Sequence, residues 1–264
     1  ERPVFSWKIT SSDYAVYQKA YQIKVYQADY VTDQKKLVWD SGKVRSSDTT
    51  NISYQGRDLQ SACVYEWQLA IWDEHNYKHE ASGSNMFETA YVSEGQPFEN
   101  CEFIAVDDRD LSVQGLPVFV KTFGLEKKTV KKAYYYGASL GIYDAYINGE
   151  RIGGDPCEEL KSGWTNYDKS LLYNTYDITK MFNGKRQTEY TIAVMLGKGW
   201  CVGKIAHETY QYDRPWYIGK LLLIYEDGSR EEINTDASWN YVTETAVLDA
   251  DIYSGEIYDS NQYQ

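Results

Sequence analysis

No apolar run in this chain of 264 residues approaches the roughly 20 residues that cross a bilayer, which excludes a membrane-spanning helix. No charged-then-apolar leader opens it either; the first residues are strand-like, so no signal peptide is read and export is not legible. Cys63, Cys101, Cys157 and Cys201 stand far apart without a C-x-x-C pair, so zinc-site spacing is missing. Free thiols are the expectation for most of them, and the sequence does not decide a disulfide. Basic residues are in deficit: 27 Lys and Arg face 39 Asp and Glu, a net charge of −12 and a pI near 4.8. That balance argues against nucleic acid and against anionic membranes, and favours a neutral partner or a cation. Also missing are internal repeats, low-complexity segments, a G-x-S-x-G elbow, a catalytic Cys-His arrangement and any phosphate-binding glycine loop.

Helical periodicity is lacking as well, and what replaces it is aromatic. The chain holds 26 tyrosines and 8 tryptophans, while Ala and Leu are not prominent. Aromatic and β-branched side chains fit pleated surfaces, so the composition reads as all-β. Ile142, Asp144 and Tyr146 alternate with Tyr143, Ala145 and Ile147, the period of a half-buried strand, and Asn148-Gly149 follows as a hairpin turn. Asp227-Gly228 marks a second hairpin before Arg230–Asn234.

Strand patterns fall in two groups. From about residue 3 to about 92 run Val4–Trp7, Ala20–Tyr26, Val38–Val44 broken by a Ser-Gly turn, Tyr65–Trp72 and Phe87–Ala90. Tyr65, Trp67, Leu69 and Ile71 share one face, and Trp7, Trp39, Trp67 and Trp72 are expected in the core. Tyr65, six residues after Leu59, fits the pattern in which a tyrosine hydroxyl pins the chain entering a late strand. Ser93-Glu-Gly-Gln-Pro97 reads as a boundary, giving domains 1–94 and 95–264. The second group holds Val118–Phe123, Val130–Tyr136, Tyr190–Leu196 and Leu221–Tyr225. Many short strands with turn signals point to a fibronectin type III or immunoglobulin-like sandwich followed by a jelly-roll β-sandwich.

Candidate sites are weighed against plainer roles. Asp107-Asp108 with Asp110, Glu158-Glu159 and Glu231-Glu232 read as solvated loops or strand edges, although Asp107, Asp108 and Asp110 have oxygens that suit calcium. His75 and His79 read as loop histidines rather than metal ligands. Aromatics are the stronger candidates, because sugar C–H faces stack on Trp and Tyr while hydroxyls need carboxylates and amides. Trp164, Asn166, Tyr167 and Asp168 bring both kinds together, against the alternative that Trp164 and Tyr167 are packing residues. Trp200, Tyr210 and Trp216 flank one variable loop and could line a cleft.

Several motifs, in order, carry a family resemblance: Tyr143 to Asn148-Gly149, Gly163-Trp-Thr-Asn-Tyr167, Tyr173–Thr179, Leu196-Gly-Lys-Gly-Trp200, Asp227-Gly228, Thr235-Asp-Ala-Ser-Trp239 and Gly255-Glu-Ile-Tyr-Asp259. The chain resembles the N-terminal β region of bacterial α-L-rhamnosidases, glycoside hydrolases of family 78. Phe5-Ser-Trp7, Ala20–Ile23, Val38–Lys43 and Tyr65-Glu-Trp67 resemble the fibronectin-like module that precedes it. Three departures stand out: Ser162 where the family often has Pro, Asn166 where it usually has Asp, and the individual segment Cys201–Gly219.

The resemblance implies a non-catalytic portion of an inverting hydrolase of terminal α-L-rhamnose. The catalytic domain, a helical barrel holding both working carboxylates, is missing from this chain and would be its partner within the same protein. It implies a rhamnose-containing glycan or glycoside as ligand, on Asp155, Trp164, Asn166, Tyr167, Trp200 and Trp216. Some relatives bind rhamnose through calcium, which would place the metal at Asp155; there Pro156 replaces the usual amide. A periplasmic or extracellular setting is likewise implied. The rival reading is a stand-alone carbohydrate-binding surface module without enzyme activity, which the reading frame after Gln264 would discriminate.

Overall fold

The computed structural model describes residues 2–29, 34–83, 85–91, 96–111, 115–125, 128–154, 160–183, 188–202, 204–205, 208–209 and 212–262. The chain divides into two compact units, Glu1–Gln96 and Pro97–Gln264. The described regular structure is β-strand and short 3-10 turns, and no described helix is long and apolar enough to cross a membrane.

In the first unit the strands are β1 (Val4–Phe5), β2 (Ala20–Ala28), β3 (Lys35–Asp40), β4 (Ile52–Ser53), β5 (Val64–Trp72), β6 (Lys78–Glu80) and β7 (Asn85–Glu88). The main sheet runs β3-β2-β5-β6 with β7 also paired to β5, and β1 pairs with β4. Alternation decides the inner face. Tyr21, Ile23 and Val25 of β2 and Tyr65 of β5 are buried, with Trp67, Leu69 and Ile71 packed beside them. The Tyr65 hydroxyl accepts the Gln60 amide at 2.9 Å, the expected pin at the strand entry. Trp7, Trp39 and Trp67 also pack on this core. Trp72 does not: the end of β5 leaves it half-buried, with the Lys43 ammonium 4.2 Å from its ring centroid. His79 is a strand residue of β6 rather than a loop residue, opposite Ile71.

In the second unit follow β8 (Val118–Gly124), β9 (Val130–Leu140), β10 (Ile142–Ile147), β11 (Glu150–Arg151), β12 (Asn174–Asp177), β13 (Glu189–Gly197), β14 (Lys204–Ile205), β15 (Glu208–Thr209), β16 (Trp216–Tyr225), β17 (Arg230–Asn234), β18 (Asn240–Val242), β19 (Val247–Asp251) and β20 (Gly255–Tyr258). One antiparallel sheet has the order β11-β10-β13-β8-β18 and the other β12-β9-β16-β17. Their core contains Tyr143, Ala145 and Ile147 of β10, Ile192, Val194 and Leu196 of β13, and Tyr135, Tyr217, Leu221 and Leu223 of the facing sheet. The Asn148-Gly149 turn takes φ of 50° and 83°, both positive, as a two-residue hairpin needs. β14–β15 and β19–β20 are separate hairpins.

Candidate functional site

The loop carrying Trp164 begins on buried polar residues. Lys161 is 3% exposed; its ammonium donates to the Ile152 carbonyl at 2.8 Å and lies 3.7 Å from the Asp144 carboxylate and 5.2 Å from the Tyr176 ring centroid. Its carbonyl accepts the Tyr143 amide at 3.0 Å. Ser162, buried, accepts from the Ser139 amide at 3.2 Å and donates to the Ser139 carbonyl at 3.3 Å. Ser162 thus ties the loop to the end of β9.

Beyond this anchor the chain turns outward. The Asn166 carbonyl accepts from Lys169 and Ser170 at 2.9 and 3.0 Å, and its side-chain oxygen accepts from the Asp168 amide at 3.1 Å. The Asn166 Nδ2 has no acceptor among the described residues. Trp164 is 54% exposed, which removes it from the core. It stacks on Trp200, with centroids 6.1 Å apart and planes 27° from parallel. Trp200 sits on the turn after β13, where Gly199 has φ of +49° and a Cβ would lie 2.9 Å from the Gly141 carbonyl carbon. Glycine is what lets this turn approach Gly141–Ile142 closely.

Tyr167 and Tyr212 meet edge to face at 6.1 Å, and Tyr212 donates to Asp168 at 2.8 Å. That carboxylate raises the Tyr212 pKa above the ordinary tyrosine value. The Tyr167 hydroxyl accepts the Gly141 amide at 3.4 Å. Trp216 opens β16 opposite Leu140, half-buried, with the Arg214 guanidinium 6.0 Å from its ring. The structure therefore pairs Trp164 with Trp200 and Tyr167 with Tyr212, and places Trp216 across from the residue before Gly141. Asp155 and its proposed calcium, Cys157, Glu158, Glu159 and Tyr210 lie outside the described residues.

The second unit also holds residues that were not among the candidate site residues. A cavity of about 400 Å³ is lined by Lys198, Val202, Arg214, Pro215 and Asp249, among others. Lys198 pairs with Asp249 at 2.7 Å, while Arg214 reaches the Val106 carbonyl at 2.7 Å and Asp108 at 2.6 Å. Lys198 lies inside the Leu196–Trp200 motif and Arg214 inside the individual segment Cys201–Gly219, signals that could have marked them.

The two described acid runs, Asp107-Asp108 with Asp110 and Glu231-Glu232, are engaged. Arg109 pairs with Asp107 and Asp110, Tyr241 donates to Asp110 at 2.5 Å, and Tyr225 donates to Glu231. Glu232 lies 2.9 Å from the Lys220 ammonium. Among the described residues no group of three His, Cys, Asp or Glu could hold a metal. Cys63, Cys101 and Cys201 are free thiols. The surface offers aromatic faces and fixed polar groups, which suit binding.

A family model described as the alpha-L-rhamnosidase N-terminal domain matches residues 128–264, and one described as a Rha78A-like N-terminal immunoglobulin domain matches residues 1–93. An α-L-rhamnosidase of Formosa agariphila is 29% identical over 286 residues, covering 98% of this chain and 29% of that protein. The solved α-L-rhamnosidase from Dictyoglumus thermophilum superposes with a TM-score of 0.78 at 33% identity, covering 99% of this chain and 29% of that one. The Streptomyces avermitilis α-L-rhamnosidase complexed with L-rhamnose has a TM-score of 0.81 at 20% identity, covering 99% of this chain and 41% of that one, a likeness of fold alone. The chain spans under a third of the length of the curated relatives that match nearly all of it, at 29%, 28% and 28%.

Proposed function

Since the chain belongs to the α-L-rhamnosidase N-terminal domain family, we propose that it is the non-catalytic N-terminal portion of an inverting glycoside hydrolase that removes terminal α-linked L-rhamnose. It supports the catalytic domain of the same protein and binds a rhamnose-containing glycan through Trp164, Trp200, Asn166, Tyr167 and Trp216. The observation that carries the enzyme reading is the pair of family matches in tandem, residues 1–93 and 128–264, on an all-β chain.

Sugar binding rests on the exposed Trp164 ring stacked on the half-buried Trp200, with the Asn166 amide two residues along the same loop. A neutral pyranoside needs a flat apolar face and a few fixed polar groups, and this set supplies both. Shallow single sites of this kind have Kd values on the order of millimolar to tens of micromolar, about 4–6 kcal/mol.

Two measurements test the proposal. The purified chain should not hydrolyse an aryl α-L-rhamnoside; turnover abolished by mutating one of its own acids would refute the non-catalytic role. L-rhamnose, with and without calcium, should give a saturable calorimetric or NMR signal that Trp164→Ala removes with little change in Tm. Silence at about 10 mM sugar ends the binding role.

A further inference from the structure

We propose that the immunoglobulin-like unit carries a second small-ligand site, for one neutral polyhydroxylated ring the size of a monosaccharide. It lies in the cleft between the segment after β1 and the edge strand β6. The cleft has a volume of about 450 Å³, within the range of small-molecule sites. The ligand class follows from the lining and not from the glycan surface of the second unit.

The apolar side exists because the sandwich does not close here. Leu69 and Ile71 point to the core side of β5 yet remain only half-buried. Trp7 and Tyr17 stand beside them in the cleft wall. The Trp7 indole is fixed: it donates to the Gln18 side-chain oxygen at 2.9 Å. Gln18 is 2% exposed and donates in turn to the Ser46 and Asp48 carbonyls, both at 3.0 Å. Tyr17 is 54% exposed, so its ring is available.

The polar side is equally prepared. Asp73 accepts the His75 and Tyr77 amides at 2.9 and 2.8 Å and holds His79 Nε2 at 2.8 Å. The imidazole is thereby oriented, and its Nδ1 has no partner among the described residues. The cleft holds two carboxylates, Asp73 beside His79 and Glu80 with Lys78 2.5 Å away, and one exposed ammonium, Lys8. An anion would meet two carboxylates, and a cation would have to compete with two existing partners. A neutral ring with one apolar face and several hydroxyls meets neither obstacle.

The test uses the 15N-labelled 264-residue chain, following the Trp7 indole N–H and the His79 amide. The probes are the methyl glycosides of α-L-rhamnose, β-D-galactose and β-D-glucose. At least one should shift both resonances saturably, with Kd on the order of 10 mM or tighter. Tyr17→Ala and His79→Ala should each weaken that response about tenfold. Both side chains are exposed enough for the fold to survive, and an unchanged amide spectrum elsewhere verifies it. Trp164→Ala should leave the Trp7 response intact, so failure of the glycan surface and failure of this site are read separately. The proposal is overturned if none of the three probes shifts Trp7 saturably. It is equally overturned if the shift survives Tyr17→Ala and His79→Ala together, or vanishes with Trp164→Ala.

Discussion

Lys161 places a cation where the surroundings are otherwise sheet and aromatic ring, directly before the exposed Trp164 loop. Its ammonium satisfies the Ile152 carbonyl and faces Asp144, which Arg151 also holds at 2.7 Å. Removing the charge while keeping the stem isolates the hydrogen bond from the packing. Lys161→Met is expected to cost about 2 kcal/mol, the scale for a charged hydrogen bond whose buried partner is left unmet. Urea unfolding measures it, and a loss below about 0.5 kcal/mol would mean that Asp144 and the carbonyl find other partners. A buried lysine of this sort was not legible in the sequence. Leu160-Lys-Ser162 has the look of a solvated loop, because burial there comes from β9 and β10 rather than from any local pattern. The exposure of Trp164 was equally hidden: composition cannot tell a stacking face from a core ring, and its partner Trp200 arrives from a distant turn.

At the level of elements, the alternating segments were readable because a buried face imposes a period of two. Tyr143, Ala145 and Ile147 point inward as their spacing indicates, and β17 has the bounds that its hairpin turn suggests. Among the elements that escaped, β18, β19 and β20 have residues half-buried or exposed throughout and so carry no alternation. Two glycines separate backbone from packing in a way that can be measured. Gly149 has φ of +83° and no neighbour within 4 Å of an added Cβ, so Gly149→Ala should cost about 1 kcal/mol through the turn alone. Gly137 leaves room for the Tyr143 hydroxyl, which would lie 2.7 Å from its Cβ, and for that of Tyr217 at 3.0 Å. Gly137→Ala should cost more, about 1–3 kcal/mol, by displacing a buried ring. Equal losses in the two variants would show that the tyrosine core gives way easily.

Across the whole molecule, stability should be bounded on both sides of neutral pH. Asp73, Asp227 and Asp236 are held below the ordinary carboxylate pKa, chiefly by hydrogen bonds with His79, Ser229 and Ser238. A lowered folded pKa contributes stability above the unfolded value, near 4, and loses it as pH falls through the folded values. Burial raises Cys101 to about 11 and Cys201 to about 12, and raises Tyr135 and Tyr217 above the ordinary tyrosine value. For these the unfolded chain loses its protons first, so their contribution is full below about pH 8.5 for the thiols and about pH 10 for the phenols. It declines as pH rises toward the folded values. The urea midpoint should therefore hold between about pH 5 and 8 and fall beyond about pH 9. A midpoint unchanged to pH 11 would contradict this account of the buried thiols and phenols.

The central strands β9 and β16 are buried on both faces over most of their length, from Ala133 to Ser139 and from Tyr217 to Tyr225. The run Leu221-Leu-Leu-Ile-Tyr225, with no polar alternation, records that in the chain itself. The consequence concerns time rather than energy. Solvent deuterium should reach these backbone amides only when the second unit opens as a whole, whereas the exposed β20 hairpin and the β18 edge should exchange through local fraying. The pair would be the last clock to start in that unit: its amides should share one slow rate, and that rate should track the unfolding free energy variant by variant, Lys161→Met and Gly137→Ala included.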